Sequence, residues 1–254
     1  MNIIKGLIIA FAMFSRIPMP TVKWEESNLK YVFCFFPFIG LVVGGINILW
    51  YYIAQYLELN NIFFAAVATL IPLLITGGIH FDGYMDTKDA LSSNGDKKKL
   101  LEILDDSHIG AFSVISAIAY FILYFAAMTE IDSLWQMVML LVGFFMIRAT
   151  AVCIILSSKL SKDNGLLYTF KNGADRAVTT LFTVVYIMFA VGSAETINIA
   201  VGLFNILVVV LSTLYFVKFV AKKFGGISGD LIGYFISFCE LAVVLVTAIG
   251  GAIL

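Results

Sequence analysis

Seven stretches of this chain are apolar over the length of a bilayer-crossing helix, which leaves few folds open to it. A spanning helix needs about 20 largely apolar residues, and lipid tolerates neither irregular backbone nor open strand edges. The stretches run Tyr31–Leu57, Ile62–Ile79, Ile109–Thr129, Leu134–Leu156, Val178–Ser193, Ile197–Val220 and Leu231–Leu254. Composition agrees: 61% of the 254 residues are hydrophobic and 13% charged, against about 25% charged in a soluble domain. Mean hydropathy is +0.99. The expected fold is an all-α integral membrane protein, a polytopic bundle of seven spans forming a single domain over residues 1–254. A further apolar run, Ile3–Phe14, is too short to span and reads as an interfacial or re-entrant helix, ended by Arg16-Ile17-Pro18-Met19-Pro20. No small-residue cleavage site follows it, so no cleavable signal peptide is expected.

The distribution of charge orients the bundle. Net charge is -1, which by itself names no partner, and no nucleic-acid partner is expected. With seven spans, one side receives the N-terminal arm and the connections 80–108, 157–177 and 221–230, and fourteen of the 16 Lys and Arg lie there. The other two, Arg148 and Lys218, lie within spans but in the half nearer that side. The opposite connections, near Glu58, Glu130–Asp132 and Glu195, are short, acidic and free of Lys and Arg. The positive-inside rule then places the N-terminus and the long loops in the cytoplasm and the C-terminus outside a cell membrane. Cys34, Cys153 and Cys239 stand singly in apolar runs, which implies neither a disulfide framework nor a zinc site. Membrane lipid is an expected partner, with Lys97–Lys99 as a headgroup contact; a homo-oligomer is left open. Gly40, Gly44 and Gly45 provide the small residues that let membrane helices approach closely.

Almost every residue able to do chemistry falls on the basic side. In GGIHFDGYMDTKDAL, Gly77–Leu91, the carboxylates Asp82, Asp86 and Asp89 are spaced i, i+4, i+7. At roughly 100° per residue they share one face of a helix, within about 60° of each other. Like charges so placed repel, and a cation relieves them. Carboxylate oxygens suit Mg²⁺, with Mn²⁺ as a substitute, and such ions bridge to substrate phosphates. Asp105 and Asp106 either add ligands or complement the start of a helix near Ser107. His80 has the chemistry of a base, a metal ligand or a structural hydrogen-bond donor. Gly225, Gly226, Ser228, Gly229 and Asp230 form a glycine-rich turn before a helix, either an anion-binding loop or a tight turn. Arg148 and Glu240 are ionisable residues inside spans; Arg148 is a candidate phosphate clamp and Glu240 a candidate for pairing within the bundle.

Taken together these blocks resemble the cobalamin synthase family, the adenosylcobinamide-GDP ribazoletransferases. The resemblance covers nearly the whole chain: FSRIPMP (Phe14–Pro20), FFPFIGLVVG (Phe35–Gly44), the Gly77–Leu91 block, LDDSHIGAF (Leu104–Phe112), Arg148, GGISGDLIG (Gly225–Gly233) and Glu240. Ala90 stands where the family usually has glycine, His108 where it has Arg or Lys, and Ser228 where it often has Thr; the carboxylates are intact. The resemblance implies a Mg²⁺-dependent membrane transferase joining adenosylcobinamide-GDP to α-ribazole or α-ribazole 5′-phosphate, with release of GMP. Asp82, Asp86 and Asp89 would then hold metal, His80 or a free aspartate would assist deprotonation, and Arg16, Arg148 and the Gly225–Asp230 loop would contact phosphate.

Two rival classes are weighed against this. CDP-alcohol phosphotransferases share the Asp-Gly opening, but their following Ala-Arg is replaced here by Asp86-Thr87, and prenyltransferases space their aspartates differently. A cation-coupled transporter needs a polar path through the spans, which hold only Arg148, Lys218 and Glu240.

Overall fold

Capping side chains and paired glycines cut the apolar sequence into its helices. The computed structural model describes residues 2–93, 95–106 and 108–253. Twelve helices follow in order: α1 (Asn2–Phe14), α2 (Glu26–Leu29), α3 (Val32–Tyr56), α4 (Asn61–Thr76), α5 (Ile79–Ser92), α6 (Lys97–Leu104), α7 (Ala111–Thr129), α8 (Leu134–Ser157), α9 (Leu166–Gly173), α10 (Arg176–Ile197), α11 (Ile199–Lys223) and α12 (Gly229–Ile253). Asn60 starts α4 by accepting from Phe63 N at 2.9 Å, and Asn198 starts α11 by accepting from Val201 N at 3.2 Å. Each satisfies an otherwise orphaned amide.

Six helices, α3, α7, α8, α10, α11 and α12, are individually long and apolar enough to cross a bilayer. The seventh crossing differs from the sequence expectation. Its helix, α4, stops at Thr76, and α5 follows with its axis turned by 95°. Gly77 and Gly78 both hold positive φ, 65° and 78°, where a side chain would be strained. The apolar crossing is α4, and α5 carries its carboxylates beyond it at the end of the bundle that holds the basic loops.

The core is built around α8. In its apolar window, 78% of the residues are buried, against 22% for α10, so α8 is central and α10 peripheral. A Cβ on Gly40 would strike the Phe144 backbone and one on Gly44 would strike Leu141, so α3 meets α8 through these two glycines. Gly45, expected to share that role, faces open space. Among the described residues one ion pair crosses the core: Arg148 Nη1 of α8 lies 2.8 Å from Glu240 Oε1 of α12. The three cysteines are free. Ser107, the expected start of the third span's helix, lies outside the described residues, as does Leu254; that helix opens at Ala111, capped by Gly110.

Candidate active site at the basic end of the bundle

Two glycines bring the aspartates of α5 to the start of α12. A Cβ on Gly83 would collide with the backbone of Asp230, and one on Gly233 would press on the carbonyl of His80. The first turns of α5 and α12 therefore cross at backbone contact, although about 140 residues separate them in sequence. Replacing either glycine would prise the helices apart.

That crossing concentrates negative charge. Burial, and then the charges of Asp82, Asp230 and Asp89, push the Asp86 carboxyl up to about 7. No ion pair compensates Asp82, Asp86, Asp89 or Asp230 among the described residues. Asp89 lies at the rim, its carboxylate against Gly110 at the start of α7, where a Cβ on Gly110 would overlap it. A negative charge there is favoured by the helix dipole. The five expected ligands do not converge on one point, and no group of three His, Cys, Asp or Glu forms a ready cage among the described residues. Oxygen donors without compensation still fit Mg²⁺, which typically takes one or two carboxylates and completes its shell with water and substrate phosphate.

Asp105 and Asp106 are spoken for. Asp105 ends α6 and pairs with Lys162, and Asp106 accepts from His108 N at 3.0 Å and faces the His108 ring nitrogen at 2.5 Å. Neither opens the helix of the third span. Arg148 is also placed differently from expectation. It is fully buried, paired with Glu240, and its Nη1 donates to the Phe144 carbonyl at 3.1 Å. Among the described residues it forms no ion pair with Asp82, Asp86, Asp89 or Asp230. Arg16 is exposed and lies over Gly77, with its backbone N donating to the Ile75 carbonyl at 2.7 Å.

The glycine-rich turn is docked by its backbone. Ile227 N donates to Lys159 O at 2.8 Å, and Ser161 N donates to Ile227 O at 2.9 Å. Gly225 needs its positive φ of 75°, whereas Gly226 is glycine because Leu160 lies against it. Ser228 Oγ accepts from Leu231 N at 3.3 Å and so starts α12. Space is open beside Gly229.

Below this turn lies a cavity of about 410 Å³, lined on one side by His80, Asp105, Lys162, Ser228, Gly229 and Asp230. Its other walls are mostly apolar, from α1, α3, α8 and α9, with Ser161 and Asn164 among them. Phe14, Phe36 and Phe170 cluster there, with Phe14 and Phe36 centroids 4.6 Å apart. His80 is buried, its ring 5.8 Å from Phe36 edge to face, and neither ring nitrogen has a hydrogen-bond partner. Sequence reasoning missed Lys162 and α9 altogether. The available signal was the apolar cluster Leu166, Leu167, Tyr168 and Phe170 inside an otherwise polar loop.

Comparison with known proteins places this arrangement. The family described as cobalamin-5-phosphate synthase matches residues 6–248. The chain belongs to that family. A Lachnoclostridium phytofermentans protein named adenosylcobinamide-GDP ribazoletransferase is 39% identical over 254 residues, covering 100% of this chain and 97% of the relative. Proteins of the same name from Clostridium perfringens strain 13 and Clostridium botulinum strain Alaska E43 are 32% identical over 246 residues and 35% over 238. They cover 96% and 92% of this chain and 98% and 92% of their own lengths. No solved structure matches. As a cobalamin-5-phosphate synthase family member the chain is a membrane transferase of cobalamin synthesis, and its carboxylates and cavity share one end of a helical bundle.

Proposed function

We propose that this chain joins adenosylcobinamide-GDP to α-ribazole, or to α-ribazole 5′-phosphate, yielding adenosylcobalamin or its 5′-phosphate and GMP. The observation that carries this reading is the α5–α12 crossing, which sets Asp230, a lining residue of the cavity, beside Asp82 and Asp86. The ribose 3′-oxygen attacks the cobinamide-linked phosphorus, the bond from that phosphorus to the GMP oxygen breaks, and the hydroxyl proton passes to a carboxylate of the cluster. Bound Mg²⁺ would neutralise the diphosphate and stabilise the departing GMP. Asp82, Asp86 and Asp230 would face it, one or two as direct ligands and the remainder through its bound water, with phosphate oxygens completing the shell. Asp89, fixed at the start of α7, orients α5. Lys162 and Arg16 are the cations placed to meet phosphate, a role for which Arg148 is too deeply buried.

The site faces the cytoplasm in this reading, because every basic loop lies at its end of the bundle. Impermeant thiol labelling of intact cells should reach a cysteine at Glu130 and miss one at Asn172; the reverse pattern would invert the topology. The reaction itself is tested by incubating purified protein with adenosylcobinamide-GDP, α-ribazole and Mg²⁺. GMP and a corrinoid product in equal amounts are expected, and neither product appearing would reject the assignment.

A further inference from the structure

The acidic face of α5 has a cation on its flank that the transferase chemistry does not use. Lys88 is the only Lys or Arg of α5. At about 100° per residue it lies roughly 100–160° around the helix from Asp82, Asp86 and Asp89, and it makes no ion pair among the described residues. Two tyrosine rings hold it instead. Its Nζ lies 5.4 Å from the centroid of Tyr84 and 5.7 Å from that of Tyr234 on α12. The rings are stacked on each other, 5.6 Å apart and 14° from parallel. Cation–π attraction fixes the ammonium there, but neutral rings leave its charge unanswered.

Depth and surroundings define the missing anion. The adjacent Asp89 lies against Gly110 at the start of α7, so Lys88 sits where the spans end and lipid headgroups begin. From Tyr234 the aromatic ladder continues one turn deeper along α12 to Phe238, whose ring is 6.2 Å away and 40% exposed. On the neighbouring side α11 packs on α12 through Phe216 and Phe235, 5.1 Å apart, and exposes Tyr215. An unanswered cation at the interface, with outward aromatic rings below it, matches a molecule with a negative head and an apolar tail. A substrate diphosphate belongs on the other face of α5, with the aspartates.

We propose that this outer face, where α5 meets α12, binds an anionic phospholipid, with its phosphate at Lys88 and an acyl chain along Tyr234 and Phe238. The lipid clamps the aromatic flank of α5 and so steadies the acidic face on its other side. Lys88 thereby differs from Lys97, Lys98 and Lys99, which are exposed on α6 and lack such an aromatic seat among the described residues.

Native mass spectrometry of the detergent-solubilised full chain, titrated with single lipids, tests the site. Phosphatidylglycerol should bind at least about fivefold more tightly than phosphatidylcholine, the worth of one lysine at an anionic surface. Lys88→Gln should erase that preference while leaving phosphatidylcholine binding unchanged, and Lys88→Arg should keep it. The triple variant Lys97→Gln/Lys98→Gln/Lys99→Gln should bind both lipids as the wild type does. A preference that survives Lys88→Gln, or that is lost in the triple variant, would overturn the proposal. Glycerol 3-phosphate at equal concentration should not displace phosphatidylglycerol; displacement would point to a soluble phosphate ligand and overturn the lipid assignment.

Discussion

The acidic side chains around α12 occur in two settings that the fold treats in opposite ways. Glu240 is buried in the core and answered by Arg148 at 2.8 Å. Asp230, at the helix start, is packed beside Asp82 and Asp86; the charge of Lys162 acts on it, but no cation is ion-paired to any of the three among the described residues. Two charges taken from water need a partner; Arg148 and Glu240 supply one to each other within the protein, although Arg148 Nε and Nη2 and Glu240 Oε1 make no hydrogen bond. The α5 cluster leaves its need for a cation to be met from outside. Compensated charge here holds helices together, and uncompensated charge marks where a ligand arrives.

The largest expected effect breaks the comparison on the uncompensated side. Asp82→Ala or Asp86→Ala should lower turnover by about 10²–10³-fold or more, the scale of losing one preorganised transition-state contact, with membrane insertion intact. Near-normal turnover in either variant, or in the presence of a chelator, would end the metal assignment. On the compensated side, Arg148→Met alone strands Glu240 and should destabilise the fold by about 3–5 kcal/mol. The double variant Arg148→Met/Glu240→Leu should recover most of that loss and retain activity, as read by thermal unfolding and kinetics. A well-folded but inactive double variant would show that the pair acts in catalysis.

The smallest effect is one of pH. The folded-state pKa of Asp86, about 7, lies above an unfolded value of about 3.9. The folded protein therefore binds more protons between these limits, and without divalent metal its stability should fall as pH rises through that window. Metal competes with the proton, so added Mg²⁺ should raise Tm more at about pH 8 than at about pH 5. Equal Mg²⁺ shifts at both would separate Asp86 from the metal. Asp86→Asn should flatten the metal-free slope.

How much of this was legible in the sequence follows from the range of the interactions. The spans could be read because apolar length is a local property, and the breadth of α3, α8 and α12 followed from it. The 95° turn at Gly77-Gly78 was hidden, since the apolar stretch Ile62–Ile79 runs through it. The aspartates of α5 announced themselves by helical spacing, but the separation of Asp89 towards Gly110 depends on α7. The partner of Arg148 was invisible for the same reason: pairing α8 with α12 is tertiary, and a lone Arg in a span is equally suited to a phosphate. Lys162 and α9 were missed because the eight residues of α9 are too few for a clear helical period, and they gain meaning only where Leu160 docks beside Ile227.

The most direct test of the contrast is Mn²⁺ binding, followed by electron paramagnetic resonance in the presence of adenosylcobinamide-GDP. The wild-type protein should bind Mn²⁺, Asp82→Asn and Asp230→Asn should each weaken binding by at least about tenfold, and Arg148→Met/Glu240→Leu should bind as the wild type does. Wild-type affinity in Asp230→Asn, or loss of Mn²⁺ in the Arg148–Glu240 double variant, would contradict the account.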